Sequence, residues 1–296
     1  MLKSLLLAMI VCLGISFPTT NEIGIIEDLG GTTTLSSTPG DIKRFKVDYA
    51  GDGDLVVASS DTGVATASLN GSTLTVVGKA SGTATITVFA SAGTNYTAPS
   101  NKTISIKVNN PVSNLAIGSV VKLNENGSPV DYIVVHQGSY DGSASGTWLL
   151  RKNVDMVTSF DAAQMNQPYA GSDIERYLNS TYLAKYDRAI QELAMVSLVN
   201  DDGNPFQKKI FLLSYLESKN LSYFSGKGDA GRVATGTYAN YGWWLRTKYP
   251  GITAAQYMVN AGGAWMHSTV TNIHGIRPAM IIPSTASVDS SGYIIP

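Results

Sequence analysis

Cysteine is almost missing from these 296 residues; the only one is Cys12. Everything after it is without a disulfide and without a thiolate that could ligate a metal or attack a substrate. Charge is scarce as well. Charged side chains make up 15% of the chain and nearly cancel, to a net −1, where an ordinary soluble domain carries about a quarter. A basic footprint for nucleic acid is therefore lacking. No glycine-rich loop opens a helix after a strand, and no nucleophile elbow is present, so nucleotide binding and acyl transfer have no motif to rest on. His267 and His274 have no Asp, Glu or Cys between them, and His136 is far off in sequence. That is no metal spacing. The expectation is a protein that is not an enzyme and has no cofactor or metal, its histidines lying on the surface or hydrogen-bonded.

Long apolar runs are missing too. Met1 to Lys3 is a short positive start, and Ser4 to Phe17 is an apolar run of 14 residues. A membrane span takes about 20. The run fits the hydrophobic part of a secretory signal, with Gly14 and Ser16 as small residues before a cut. A buried N-terminal helix or an assembly segment that docks on a partner fits equally. Residues 1–20 are read as one or the other, with no membrane contact once any leader is removed.

What the chain has in plenty is glycine (29 residues) and period-two alternation. Ile42 to Tyr49, Leu55 to Ser59, Val64 to Leu69, Ser72 to Val77, Thr83 to Phe89 and Thr103 to Val108 each alternate as half-buried strands do. Turn signals separate them: Pro39-Gly40, Gly51 to Gly53, Asp61 to Gly63, Asn70-Gly71 and Ser81-Gly82. Asn70-Gly71 is a hairpin signal, because both residues accept positive φ cheaply. Gly51 to Asp54 reads as a solvated turn; a calcium loop wants more oxygen ligands. Short strands at such spacing predict a sandwich over 21–109.

Residues 110–116 read as a short linker, and 117–296 as a second domain of mixed character. A hairpin is expected around Asn126-Gly127, a strand at Gly146 to Arg151, and a helix from Ser172, which has Glu175 three residues on as in a capping box. A second helix at Tyr186 to Leu193, a strand at Lys209 to Ser214 and a small helix or turn at Leu216 to Phe224 follow. Asp201 to Asn204 reads as an exposed turn. This pattern predicts an α+β domain.

The final segment, Tyr241 to Pro283, holds three of the four Trp and two of the three His. Two apolar blocks bound a polar and aromatic run without strong helical or strand period. Trp243, Trp244, Arg246 and Arg277 are expected in the core, the arginines paired to a carboxylate or to carbonyls. Trp265, beside Gly262-Gly263, is open between ligand stacking and core packing. Aromatics give large contact area at low entropic cost and Asn, Ser and Thr give adaptable hydrogen bonds, so the run reads as a displayed binding face.

Two resemblances add to this. The stretch VVASSDTGVATASLNGSTLTVVGKASGTATITVFA resembles a bacterial immunoglobulin-like domain of the group common in adhesins and phage tail proteins, with the family pattern matched at Gly78 to Val88. It implies a spacer or stalk. VVHQGSYDGSASGTWLLRKNV, SDIERYLNSTYLAKYDRAIQ, KIFLLSYLES, WWLRTKYP and GIRPAMIIP, in that order, resemble a domain of unknown function recurring in tail and fibre proteins of phages and prophages of Gram-positive gut bacteria. The closing W-W-L-R…G-I-R-P-A architecture is similar to the C-type-lectin-like fold of formylglycine-generating enzymes and of retroelement-diversified phage receptor-binding proteins. The likeness places variable, ligand-contacting positions at Lys248, Tyr249, Tyr257, Asn260, Trp265, His267, Thr269, Asn272 and His274. The cysteine pair of the oxidase branch is absent, which argues against that chemistry.

The fold expected is mainly β, an immunoglobulin-like sandwich followed by a C-type-lectin-like α+β domain. The function expected is attachment of a phage particle, as a tail, fibre or decoration protein on a virion, to a host-surface glycan or protein. Other virion subunits would be partners, and a homo-oligomer is expected. The alternatives are a secreted or wall-associated adhesin, which the apolar start favours, and a purely structural decoration protein.

Overall fold

The computed structural model describes residues 19–20, 22–27, 34–36, 41–162, 168–200 and 205–296. The apolar start with Cys12, the turn at Pro39-Gly40 and the turn at Asp201 to Asn204 lie outside these. The chain divides into two compact units, Met1–Asn110 and Pro111–Pro296. Both are mainly β.

In the first unit, alternation makes two sheets around one core. Strands β1 (Gly24–Glu27), β2 (Ile42–Asp48), β4 (Ala65–Asn70) and β5 (Thr73–Gly78) form an antiparallel sheet in the order β1-β2-β5-β4. In the other, β6 (Gly82–Ala90) lies between β3 (Leu55–Ser59) and β7 (Lys102–Pro111), and the short strand Thr34–Ser36 pairs parallel with β7. Phe45, Val47, Leu74 and Val76 from one sheet and Ala84, Ile86, Val88, Ile106 and Val108 from the other share the core. Each occupies every second position of its strand, so one face is buried and the other is wet.

Two turns are informative. The hairpin joining β4 and β5 turns on Gly71 and Ser72, because Asn70 still pairs with Thr73. Only Gly71 takes a positive φ, 57°. The expected Asn70-Gly71 turn is thus displaced by one residue, with glycine alone supplying the left-handed conformation. At Gly51 to Asp54, Asp52 accepts from the backbone N and the side-chain Nδ2 of Asn95, both at 2.9 Å. These bonds, the backbone one first, hold its carboxyl below the usual range. The turn is a clasp between two loops.

A short linker was expected at 110–116. Within it Asn110 and Pro111 close β7, Val112–Asn114 form a 3-10 turn, and Val112 is fully buried in the core of the second unit.

The second unit holds two five-stranded sheets. In one, β8 (Val120–Glu125), β9 (Ser128–Gly138), β10 (Gly146–Arg151), β17 (Ala279–Ile282) and β12 (Ile210–Phe211) follow in that order. The other runs β11 (Val157–Ser159), β16 (Ile273–Gly275), β13 (Trp243–Lys248), β14 (Ala255–Val259), β15 (Trp265–Thr269). The β8–β9 hairpin turns on Asn126 (φ 50°) and Gly127 (φ 77°), as a two-residue turn with both φ positive requires. Residues 249–274, expected to lack a strand period, supply β14, β15 and β16. Helices are short. Helix α1 (Asp173–Tyr177) is capped by Ser172, whose Oγ accepts from Glu175 N at 3.2 Å, and runs on through a π turn, Leu178–Tyr182. Ile174, Leu178 and Tyr182 bury one side. Helix α2 (Arg188–Leu193) starts on Asp187, which accepts from Ile190 N at 2.9 Å. Among the described residues no helix is long and apolar enough to cross a membrane.

With no disulfide to close loops, indole N–H groups tie them. Trp148 donates to Gly138 O (3.1 Å), Trp243 to Arg232 O (3.0 Å), Trp244 to Thr158 O (3.0 Å) and Trp265 to Ser218 Oγ (2.9 Å). Two charged clusters lie inside. Arg246 and Glu217 are 1% and 3% exposed; the guanidinium meets both carboxylate oxygens at 2.5 Å and donates also to Leu212 O and Asn200 O. Glu125 accepts from Tyr132 (2.6 Å), Tyr182 (2.7 Å) and Arg151 (2.9 Å), and the Tyr186 hydroxyl completes the group. A buried pair is costly to form and far more costly to break, because one partner is then left charged and unmatched.

Two outcomes follow from these clusters. Glu217→Gln should lower stability by about 3 kcal/mol in urea unfolding, since it strands Arg246 in the core. Burial, then the charges of neighbouring groups, pushes the Tyr132, Tyr182 and Tyr186 hydroxyls well above the tyrosine range. A group whose folded pKa is raised contributes stability that is full below its unfolded value, about 10, and lost as pH rises above it. Thermal melts should therefore fall steeply above about pH 10, and absorbance at the tyrosinate band should show these rings ionising only as the chain unfolds.

Candidate binding site

The site is built on the stretch Ser214-Tyr215-Leu216-Glu217-Ser218. Ser214 Oγ accepts from Glu217 N (3.0 Å), and Glu217 Oε2 accepts from Ser214 N (2.9 Å). This reciprocal S-x-x-E capping box opens helix α3 (Glu217–Asn220) and aims the Glu217 carboxylate at Arg246. Tyr215 and Ser218 are thereby fixed in direction. Tyr215 N donates to Thr247 Oγ1 (3.0 Å), bringing its ring over the β13-β14-β15 sheet.

On that sheet β14 and β15 pair with Tyr257 opposite His267 and Val259 opposite Trp265. Alternation then puts Tyr257, Trp265, His267 and Thr269 on one face. Their rings form a continuous ridge. His267 lies 4.3 Å from Tyr249, Tyr249 4.8 Å from Tyr257, Tyr257 stacks on Tyr215 at 4.5 Å, and Tyr215 meets Trp265 at 5.1 Å. The Arg232 guanidinium closes the row 3.5 Å above the Trp265 ring. His267 and Thr269 are exposed, Tyr249, Tyr257 and Tyr215 half-buried. Lys219 stands 5.9 Å over Tyr215.

The nine positions expected on one face do not share it. Asn272 Nδ2 and His274 Nε2 both bond Ser268 Oγ (2.9 and 2.8 Å), and Ser268 points opposite to His267. His274 Nδ1 further meets Tyr241 O at 2.8 Å, and its ring packs 4.6 Å from Trp244. These two belong to the reverse face and to its scaffold. Lys248, which pairs with Gln256, is exposed on that reverse side too. Asn260 is half-buried in the β14–β15 turn, its Oδ1 accepting from Ala264 N at 3.0 Å. Trp265 is a strut: its N–H is bonded to Ser218 and one side of the ring is covered by Arg232. That leaves Tyr249, Tyr257, His267 and Thr269 on the open ridge, with Tyr215 joining them from outside the final segment.

The expected core residues have definite partners. Trp243 and Trp244 are fully buried, Arg246 pairs with Glu217, and Arg277 donates to Arg151 O (2.8 Å) beside the Trp243 ring. Burial pulls the Arg277 pKa down to about 10. His136 Nδ1 meets Ser222 Oγ at 2.9 Å. Among the described residues no group of three or more His, Cys, Asp and Glu side chains is placed to hold a metal.

Two family models match this chain. Residues 44–100 match the bacterial Ig-like domain (group 2), so the first unit carries a bacterial immunoglobulin-like domain. Residues 145–284 match a family described as a domain of unknown function (DUF6273), which spans every residue of the ridge. No curated protein matches the chain.

The ridge depends on the tip of the β14–β15 hairpin. Gly263 has φ 89°, and a Cβ there would meet Asp229 O at 2.0 Å. Gly263→Ala should therefore cost about 3 kcal/mol in urea unfolding, from the left-handed backbone and the clash together. Gly262→Ala, exposed and without positive φ, should stay within about 0.5 kcal/mol.

Proposed function

We propose that this chain is a non-enzymatic phage virion protein, a tail, fibre or decoration component, that attaches to a host cell surface. The C-terminal unit would be lectin-like in action and the immunoglobulin-like domain its spacer. The observation that carries this reading is the open ridge of Tyr249, Tyr257, His267 and Thr269, backed by Tyr215. A tyrosine offers an apolar ring with a polar tip at low entropic cost, which suits the mixed C–H and hydroxyl surface of a sugar. The rings are positioned through a buried ion pair, so little ordering is left to be done on binding. A single shallow ridge binds weakly, and several copies on one particle would raise attachment by orders of magnitude. The apolar run at Ser4 to Phe17 is what favours the second reading, a secreted or wall-associated adhesin using the same face.

The test is binding of the full chain, multimerised on a bead, to intact Gram-positive cells and to a glycan array. Saturable binding is expected, with Tyr249→Ala and His267→Ala each reducing it about tenfold or more at unchanged melting temperature. A folded, multimerised protein that binds neither cells nor glycans would sink the attachment reading.

A further inference from the structure

Strand β15 is the last strand of its sheet, and among the described residues none pairs with its outer edge. Which backbone groups point outward follows from the ladder. Val270 N bonds Ala254 O and Asn260 N bonds Ala264 O, both at 2.9 Å. In an antiparallel pair, bonded and non-bonded pairs alternate. The bonded pairs are then Gln256 with Ser268 and Met258 with Met266. Trp265, His267 and Thr269 consequently direct N–H and C=O away from β14, toward the open edge. Of these groups Thr269 O accepts from Asn272 N at 2.9 Å, and a carbonyl oxygen has a second lone pair to offer.

Natural sheets blunt an open edge with lysine, proline, a bulge or an inward charge. The sequence Trp-Met-His-Ser-Thr has no lysine, proline or carboxylate, and its register with β14 runs without a break from Thr269 to Trp265. Met266, 49% exposed, is left on the reverse face. The edge is also its own complement. Turned by a two-fold axis through His267, it sets His267 against the other copy's His267 and Trp265 against the other copy's Thr269. Every outward N–H then faces an outward C=O. On the reverse face Met266 falls opposite Ser268, and on the ridge face Trp265 falls opposite Thr269, while the two His267 rings meet at the axis.

We propose that β15 is a self-association edge: two copies of this chain pair antiparallel through Trp265–Thr269, with the axis at His267. The two sheets become one of ten strands, and the two aromatic ridges run together across the axis. An isologous contact of this kind closes at two copies. This inference stands independently of what the ridge binds.

The experiment is sedimentation equilibrium of the full chain from about 1 µM to 1 mM, a range chosen because a five-residue edge is a small interface. The weight-average mass should rise from one chain toward two. Amide exchange across residues 265–269 should slow with concentration. His267→Pro removes an N–H that faces outward and no bond to β14, so it should fold and weaken association at least tenfold. Met266→Lys puts a charge beside the edge and should do the same should the proline variant fail to fold. A wild-type chain that stays monomeric throughout, or folded variants that associate as the wild type does, would overturn the proposal. A chain that is monomeric alone but binds an extended peptide at these residues would also overturn it.

Discussion

The Arg246–Glu217 pair is the interaction on which the C-terminal unit turns. One guanidinium, 1% exposed, satisfies a carboxylate, Leu212 O and Asn200 O together. It stands on the central strand of one sheet and reaches the chain that leads out of the other. Desolvating two charges is expensive, and the cost is met only where every donor has an acceptor at good geometry. Here Ser214 N and the Arg246 guanidinium hold the Glu217 carboxylate together. Packing alone would leave helix α3, at four residues, too short to hold a direction.

From that fixed point the surface follows by short steps. Glu217 sets the turn, the turn sets Tyr215 and Ser218, and these set the rings of Tyr257 and Trp265. Strand alternation does the rest, sending His267 and Thr269 outward with Tyr257 and sending Ser268 to the side of His274. The ridge is a consequence of core chemistry. Tyr215, Tyr257 and Trp265 pack against the core from the ridge side, while His267 and Thr269 are exposed. Trp265 is the most committed of them. It stands on the ridge face but is committed to Ser218 and Arg232.

Much of the first unit was legible in the chain, since a strand with one wet and one dry face writes its period directly into the residue types. Ile42 to Asp48 and Gly82 to Ala90 are of that kind. The turn at Gly71 was misplaced by one residue because Asn and Gly are both tolerant of positive φ, and only the ladder decides which uses it. The strands at 255–259 and 265–269 hid their period. Gln256 is buried while Tyr257 is half-open, so polarity does not track the faces. Arg246 and Arg277 could be read as core from the apolar block around them. Tyr215 could not be placed in the site, since its contact with Tyr257 joins residues far apart in sequence. The S-x-x-E signature at Ser214 to Glu217 was present in the chain and was the local clue to that turn.

All four indole N–H groups are spent on tying one segment to another, and the unit from Pro111 onward contains no cysteine. Fasteners of this type need no oxidant to set them and no reductant releases them. The C-terminal unit therefore closes its loops without thiol–disulfide chemistry. The bonds that fasten it form alike in a reducing and in an oxidising compartment, with no disulfide step between the two.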